Sequence, residues 1–514
     1  MNSASKLLML DLPGPNLDAD TLAHLKDVQP GGIILFRRNI ASRAAARKLT
    51  DELRNLLGQD LLIAVDQEGG AVLRTTDLPN TPSAMNLGAG DSEEDARDCG
   101  AVLGRGLLAM GANWDFAPVL DVNSNPNNPV IADRSFGQDP ALVARLGIAF
   151  AQGLADAGVA ACGKHFPGHG DTAQDSHHDL PSVPRSRREL EAVELAPFKA
   201  AIAAGLPSIM TAHVMFPALD PEHPATLSRK ILTHLLREQW GFEGVIVTDA
   251  MDMKAIAERY GRGDAAVTSI LAGADMVEAL GPREAQMATV SAVREAAASG
   301  RLSENRVRAS IGRLDRLKAR FAVPTAERFV YDAEQEAADR RVVESVWRRG
   351  VVAVGSPRLP EAGRTVILVA PAFASGNIVA ENGIRATDLE EILAKRNPVR
   401  LVAFEDTDPL SVAPLVQAAR DHNPGAMLIF ASTGRHRLSD PARALAASAR
   451  PDLHLAVWNP FTVADVAAPA LVTFGFRPEA LLALEAVLAG SPITGKPPIA
   501  LQVAVSTPSE GGRI

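Results

Sequence analysis

The sequence predicts an α/β protein, a (β/α)8 barrel of the TIM type followed by a smaller α/β domain. The chain has 514 residues, more than one hydrophobic core normally supports, and 46% of them are apolar. Up to about residue 320, short apolar runs alternate with longer amphipathic stretches, and the same rhythm restarts after a charged, alanine-rich segment. We therefore predict a barrel over residues 1–322, a linker with a helix over 323–348 and a second domain over 349–514.

Eight apolar runs are the candidate barrel strands, the number that a closed (β/α)8 barrel requires. They are Leu7–Leu12, Gly32–Phe36, Leu61–Asp66, Trp114–Val119, Ala160–Lys164, Ser208–His213, Gly244–Asp249 and Met276–Leu280. Six further runs belong to the second domain: Val351–Val354, Thr365–Ala370, Val399–Phe404, Ala426–Phe430, Leu453–Trp458 and Leu471–Phe474. That domain shows no comparable cluster of catalytic residue types, and its glycines form neither a phosphate-binding loop nor a dinucleotide fingerprint.

Polar residues directly follow several of the predicted barrel strands. The sequence Asp66-Gln67-Glu68 follows the third strand, and Asp121, His213 and Asp249 follow the fourth, sixth and seventh. A single Asp after a strand is as often a helix cap. Because the carboxyl ends of barrel strands meet at one face, several such residues from separate strands indicate an enzyme site.

The stretch Gly163–Pro181, in which the fifth predicted strand gives way to a loop, is the densest window of titratable groups, with four histidines, three aspartates and one lysine in nineteen positions. Three interpretations are open. Asp175 could orient and activate His177 as a general acid/base. The histidines and aspartates could bind a divalent metal, although the ammonium of Lys164 beside His165 would repel a cation. The window could also be a polar turn whose aspartates cap backbone amides.

The loop Asp121–Pro140 contains Arg134, for which two interpretations are open. A guanidinium here can clamp a hydroxyl or acyl oxygen, whereas an exposed surface ion pair is the more ordinary role of such an arginine.

Composition excludes several classes of function. A net charge of −9 with scattered basic residues provides no footprint for nucleic acid. The two cysteines, Cys99 and Cys162, cannot build a disulfide framework, and Cys162 lies in an apolar context typical of a buried thiol. The first apolar run is too short for a signal peptide, and no later run suggests a membrane span. We expect a cytoplasmic protein with a small-molecule substrate.

With these segments placed, the chain resembles glycoside hydrolase family 3 and, within it, the two-domain form of the β-N-acetylhexosaminidase branch. This resemblance implies an α/β sandwich fold for the second domain. The matching elements occur in order over most of the first 280 residues and are specific jointly rather than singly. They are Ile34-Leu35-Phe36-Arg37-Arg38-Asn39, Val65-Asp66-Gln67-Glu68-Gly69-Gly70, Asp115-Phe116-Ala117-Pro118-Val119-Leu120-Asp121-Val122-Asn123, Arg134-Ser135-Phe136-Gly137, the stretch Lys164–Pro181 and Val247-Thr248-Asp249-Ala250-Met251. Ala71 and Ala132 depart from the family pattern, which often has Arg and Gly there.

The resemblance implies a role for each candidate residue. Asp249 corresponds to the nucleophile of the family, and His177 with its partner Asp175 corresponds to the acid/base. The residues implied to contact N-acetylglucosamine are Asp66, Arg74, Arg134, Lys164 and His165. A retaining mechanism needs these two functions, a carboxylate that attacks the anomeric carbon and a group that shuttles a proton. No cofactor or metal is implied.

The resemblance implies a retaining exo-β-N-acetylglucosaminidase that acts on peptidoglycan fragments or chitooligosaccharides. An imidazole in place of a second carboxylate could admit phosphate as the acceptor, so a phosphorylase is one alternative. A β-glucosidase-type enzyme of the same family is another. A sugar-binding protein without turnover and a metal-dependent hydrolase are two further classes.

Overall fold

The computed structural model of the protein describes residues 3–75, 77–172, 180–322, 331–374 and 383–504. The chain divides into two compact units, the first comprising Met1–Thr81 with Ser92–Val342 and the second Pro82–Asp91 with Val343–Ile514. This division differs from the boundaries predicted from the sequence, which placed residues 82–91 in the barrel and started the second domain at 349.

The first unit is an eight-stranded parallel barrel, as predicted. Its strands are β1 (Leu8–Leu10), β2 (Gly32–Leu35), β3 (Leu62–Val65), β4 (Trp114–Asp115), β5 (Ala160–Phe166), β6 (Ser208–Thr211), β7 (Val245–Val247) and β8 (Val277–Glu278). From β1 to β7 each strand pairs with the next along the chain, and β8 pairs with β1. The ring closes between β7 and β8, where Thr248 N donates to Met276 O at 3.0 Å and Val247 bridges Met276.

Helices connect the barrel strands. They are Ala19–Val28, Arg43–Leu57, Glu93–Ala109, Pro140–Ala157, Arg187–Ala192, Leu195–Ala203, the π-helix Lys230–Gln239, Lys254–Tyr260, Arg262–Ala272, Arg283–Ala298 and Glu304–Phe321, and the helix Ala333–Arg349 follows. Caps set several starts, since Ser42, Ser92 and Ser303 each accept a bond from a backbone amide three residues on. Among the described helices, none is both long and apolar enough to cross a membrane.

Alternate residues of the barrel strands form one buried hydrophobic cluster. Because successive side chains of a strand point to opposite faces, this cluster marks the inward face of each strand. Its strand members include Met9, Ile34, Leu62, Ala64, Trp114, Ala160, Cys162, Met210, Val245 and Val247, with Met276 just before β8. The interior of the barrel is therefore filled by apolar side chains up to the carboxyl ends of the strands.

The second unit is built on a six-stranded sheet in the order β13 (Val399–Phe404), β10 (Val366–Pro371), β14 (Met427–Ser432), β15 (Leu453–Ala456), β16 (Ala470–Val472) and β9 (Val352–Val354). Neighbours pair in parallel except β9, which runs antiparallel to β16. The strands β11 (Phe373–Ala374) and β12 (Ile384–Arg385) form a separate pair. The helices are Ala386–Ala394, Ala413–His422, Asp440–Ala449 and Pro478–Leu488.

The helix Ala84–Gly90 packs in the second unit although it lies between barrel segments in sequence. Ser83 Oγ donates to Phe474 O at 2.7 Å, and Asn86 Nδ2 donates to Thr473 O at 3.1 Å. Met85 belongs to a hydrophobic cluster with strand residues of the second unit. These contacts bridge more than 380 positions of sequence, so local sequence patterns carry no signal for them.

Candidate active site

Four ionisable side chains extend the inward-facing series at the carboxyl ends of the barrel strands. Lys164 lies two residues beyond Cys162 in β5, and Glu278 lies two residues beyond Met276. Asp66 and Asp249 follow the last inward residues of β3 and β7 by the same spacing. The alternation that fills the barrel with apolar side chains therefore presents ionisable ones at its rim.

Lys164 bridges two carboxylates at this rim. Its Nζ lies 2.7 Å from Asp66 Oδ1 and 2.6 Å from Glu68 Oε1, and the lysine is 2% exposed. Burial alone would lower the pKa of Lys164, but the two carboxylates raise it above its ordinary value. The ammonium is therefore permanently charged and its position is fixed by two anions.

Arg134 and Glu68 form a two-pronged ion pair. Arg134 Nε donates to Glu68 Oε2 at 2.8 Å, and a terminal nitrogen donates to Oε1 at 2.8 Å. Both residues are buried, and the guanidinium also donates to Val130 O at 3.2 Å. The interpretation of Arg134 as an exposed surface ion pair is therefore wrong, because its carboxylate partner lies inside the site. Burial would raise the pKa of Glu68, but Arg134 and Lys164 hold it far below its ordinary value.

Asp66 is held between two cations. Besides Lys164, its Oδ2 lies 3.2 Å from a terminal nitrogen of Arg74. Burial by itself would raise the pKa of Asp66, but the charges of Lys164 and Arg74 hold that pKa below its ordinary value. Asp66 is thus an ionised hydrogen-bond acceptor, and its side chain retains 16% exposure toward solvent.

His165 is oriented by Asp121. Its Nδ1 lies 2.7 Å from Asp121 Oδ2, and its Nε2 lies 3.4 Å from a terminal nitrogen of Arg134. Because a guanidinium only donates, Nε2 is the acceptor and Nδ1 carries the proton directed at Asp121. Asp121 Oδ1 also accepts from the backbone amides of His165 at 3.1 Å and His169 at 2.7 Å. The aspartate therefore fixes both the ring and the turn that follows β5.

Asp249 lies directly beyond β7, in the stretch Thr248–Met251. Its Oδ1 accepts from the Ala250 amide at 2.8 Å, and the side chain is half-buried. Ala250 O in turn contacts His213 Nε2 at 3.0 Å. His213, the polar residue that follows β6, therefore lies beside this turn. Asp249 is thus an acidic side chain with access to solvent at the rim of the barrel.

Asp175 and His177 lie outside the described residues, as do His178 and Asp179. Two described residues on either side of this stretch contact each other. Arg185 Nε lies 2.6 Å from Asp171 Oδ2, and another nitrogen of Arg185 lies 3.4 Å from Glu194 Oε1. The ion pair between Asp171 and Arg185 therefore joins the segments before and after the two candidate residues.

The structure shows what is done in the site by residues to which the sequence assigned no individual role. Glu68 and Asp121 hold the cations and the imidazole, and both occur in the motifs quoted above, although the motifs do not reveal their partners. Asp115 accepts from the Gln67 amide at 3.0 Å, and its other carboxyl oxygen is buried with no partner among the described residues. Burial raises the pKa of Asp115 well above its usual range. Burial likewise raises the pKa of Glu278, and its Oε1 is buried with no partner among the described residues.

One group in the described part of the chain has the ligand types and proximity for a metal ion, Asp220 with Glu222 and His223. Lys230 Nζ lies 3.3 Å from Asp220 and 3.6 Å from Glu222. An ammonium therefore already neutralises these carboxylates and would repel a cation.

Comparison with known proteins shows which family the barrel resembles. The profile of the glycosyl hydrolase family 3 N terminal domain matches residues 4–317. A β-hexosaminidase of Thiobacillus denitrificans is 41% identical over 276 residues, which make up 52% of this chain and 76% of the relative. β-Hexosaminidase A of Pseudoalteromonas piscicida is 38% identical over 327 residues, which make up 58% of this chain and 54% of that longer protein.

A solved structure matches both units. It is a glycoside hydrolase family 3 β-N-acetylglucosaminidase from Paenibacillus sp. str. FPU-7, with a TM-score of 0.89 and 35% sequence identity. The match covers 98% of this chain and 99% of the Paenibacillus chain. The second unit is therefore part of the similarity as well as the barrel.

Proposed function

The chain belongs to glycosyl hydrolase family 3, and from this premise we propose that it is a retaining exo-β-N-acetylglucosaminidase. The observation that carries the proposal is the buried cluster at the rim of the barrel, in which Lys164 joins Asp66 and Glu68. Asp249 stands at the same rim, as expected for a nucleophile beside a sugar site. The substrates proposed are terminal β-linked N-acetylglucosamine residues of peptidoglycan fragments or chitooligosaccharides.

The cluster suits an uncharged sugar. Buried charges are costly unless they are paired, and here they balance, with three carboxylates and three cations. The carboxylates are Asp66, Glu68 and Asp121, and the cations are Lys164, Arg74 and Arg134. In this scheme Asp66 accepts hydrogen bonds from hydroxyl groups, and Lys164, Arg134 and His165 donate or accept around the ring. Their mutual contacts hold the donors in place before the sugar arrives.

The proposed reaction has two displacement steps. A carboxylate oxygen of Asp249 attacks the anomeric carbon while the bond to the leaving oxygen breaks, and His177 gives its proton to that oxygen. His177, oriented by Asp175, then removes a proton from water, which attacks the same carbon and frees Asp249. Two inversions produce net retention of configuration.

The nucleophile is tested with a nitrophenyl β-N-acetylglucosaminide. We expect Asp249→Ala to lose kcat by at least ~10³-fold, because no other group in the scheme forms the glycosyl-enzyme bond. Asp264→Ala is the matched control, since its side chain is 77% exposed and pairs only with Arg301 among the contacts seen. Full activity in Asp249→Ala would overturn the proposal.

A mechanism-based inhibitor tests the covalent step separately. A 5-fluoro glycoside of N-acetylglucosamine should add one sugar mass to the intact protein, and peptide mapping should place that mass on Asp249. Label on another residue would contradict the assignment. The same enzyme incubated with inorganic phosphate distinguishes hydrolysis from phosphorolysis, because a sugar 1-phosphate forms only if phosphate is the acceptor.

The acid/base is tested by the leaving group. We expect His177→Ala to lose activity mainly on substrates with poor leaving groups, because an acidic phenol departs without protonation. Equal losses on activated and unactivated substrates would argue against proton transfer by His177.

The buried thiols Cys99 and Cys162 support a reducing compartment for this activity, and we place it in the cytoplasm.

A further inference from the structure

Glu278 is a buried acidic residue inside the barrel to which the proposed mechanism gives no role. It ends β8 and is 3% exposed. Met276 and Leu280, two residues to either side, belong to the hydrophobic cluster of the barrel interior. Because side chains alternate along a strand, Glu278 points to the same interior as Lys164 and Asp66.

The main chain of Glu278 is bonded to both sides of the proposed nucleophile. Its amide donates to Thr248 Oγ1 at 3.1 Å, and its carbonyl accepts from the Met251 amide at 3.2 Å. Asp249 and Ala250 lie between these two partners. The end of β8 and the nucleophile turn therefore form one hydrogen-bonded unit, and the carboxyl group of Glu278 lies close enough to Asp249 and Asp66 for their charges to act on it.

The surroundings of Glu278 favour its neutral form. The charged groups that act on it are Asp66 after β3, Lys164 in β5, and Asp249 and Asp252 after β7. Three of these are acids, and the ammonium of Lys164 is already bound by Asp66 and Glu68. Burial first, and then Asp66 and Asp249, raises the pKa of Glu278 well above its usual range.

A neutral carboxyl group has both a donor and an acceptor, and here it has unused capacity. Glu278 Oε1 is buried and has no hydrogen-bond partner within the described residues. A buried polar atom left unpaired destabilises the protein, and a ligand that supplies a partner would remove that penalty. Donor-only groups such as Lys164 cannot accept a hydrogen bond from an N–H group, whereas this carboxyl can.

On the basis of the proposed function, we propose that Glu278 is the residue that selects the 2-acetamido group of the sugar. In the proposed reaction Asp249 attacks C1, and the carboxyl group of Glu278, anchored to the turn of Asp249, faces the substituent at the adjoining C2. Because the acetamido group is a trans amide, its N–H and C=O point in opposite directions and one carboxyl group meets only one of them. The un-ionised carboxyl of Glu278 donates its O–H to the acetamido carbonyl, an acceptor that a sugar with a 2-hydroxyl group lacks, so glucosides lose this recognition.

The test compares nitrophenyl β-N-acetylglucosaminide with nitrophenyl β-glucoside in the whole enzyme. We expect Glu278→Leu to lower the ratio of the two kcat/KM values about 10- to 100-fold, mainly through the N-acetylglucosaminide. Glu278→Gln keeps a donor and an acceptor in the same shape and should restore the ratio to within about threefold of the wild type. An unchanged ratio in Glu278→Leu would overturn the inference.

Two further readouts separate recognition from structural support. The wild-type ratio should fall at alkaline pH as Glu278 ionises and loses its donor, whereas the ratio of Glu278→Gln should stay constant. A Glu278→Leu variant that loses both activities equally would also overturn the inference, because a general disturbance does not discriminate between substrates. Absence of N-acetylglucosaminidase activity in the wild type would instead contradict the proposed function itself.

Discussion

Arg134 donates two parallel hydrogen bonds of 2.8 Å to the two carboxylate oxygens of Glu68, and both side chains are buried. Lys164 Nζ approaches the same carboxylate at 2.6 Å. Glu68 therefore neutralises two cations that the proposed chemistry uses to hold a sugar. The carboxylate acts through these cations and is a positioning residue of the site.

Replacing Glu68 by Gln should destabilise the protein and impair substrate binding together. The change keeps the shape but leaves two buried cations with one counter-charge fewer, which costs ~3–5 kcal/mol of unfolding free energy. Denaturant unfolding measures this loss, and the KM for the N-acetylglucosaminide should rise. Unchanged stability would show that the buried charges are neutralised by other groups.

His169 should make the free energy of unfolding decrease as the pH falls. Burial first, and then the neighbouring His165, lowers the pKa of His169 to about 4 from 6.5. Between these two values the unfolded chain binds a proton that the folded chain does not, so stability present above pH 6.5 is lost as pH falls toward 4. The loss amounts to about 3 kcal/mol below pH 4.

The variant His169→Asn should remove this contribution to the slope of unfolding free energy against pH. Unfolding measured from pH 4 to pH 7 tests it, with His234→Asn as the control because His234 is exposed and its ring bonds the neighbouring Glu238. A slope in His169→Asn as steep as that of the wild type would contradict the assignment.

Asp275 should matter for stability and little for catalysis. It lies just before β8, at the amino-terminal end of the barrel, and approaches Arg313 at 3.2 Å, Arg306 at 3.6 Å and also Arg237. Asp275→Asn leaves these arginines partly uncompensated and should cost ~3–5 kcal/mol. Below the new unfolding temperature, the KM should remain that of the wild type, and a large change in KM would show that this end communicates with the site.

Arg185 should support the acid/base through the ends of its loop. Its ion pair with Asp171 joins the chain before and after the segment that carries Asp175 and His177. We expect Arg185→Gln to lower kcat about tenfold on poor leaving groups and much less on activated ones, because only the former need a well-placed proton donor. The double variant with Asp171→Asn should add little further loss. Additive losses would indicate two independent roles.

Local sequence patterns predicted the strands well and the partners of their side chains poorly. All eight predicted barrel runs contain the observed strands or overlap them, because a buried strand requires a short apolar run whatever its neighbours are. The positions of Lys164 and His165 at the carboxyl end of β5 followed from the same reasoning. The predicted barrel, residues 1–322, includes the helix Ala84–Gly90, whereas long-range contacts place this helix in the second unit.

The sequence by itself determined the barrel, the family and the candidate residues, since these depend on runs and motifs of adjacent positions. Only the tertiary structure decided which charges meet. Lys164 and Asp66 lie 98 positions apart, and Arg134 and Glu68 lie 66 apart. The closure of a parallel barrel brings the carboxyl ends of all its strands to one rim, and burial there requires each charge to have a partner. No spacing along the chain encodes that pairing.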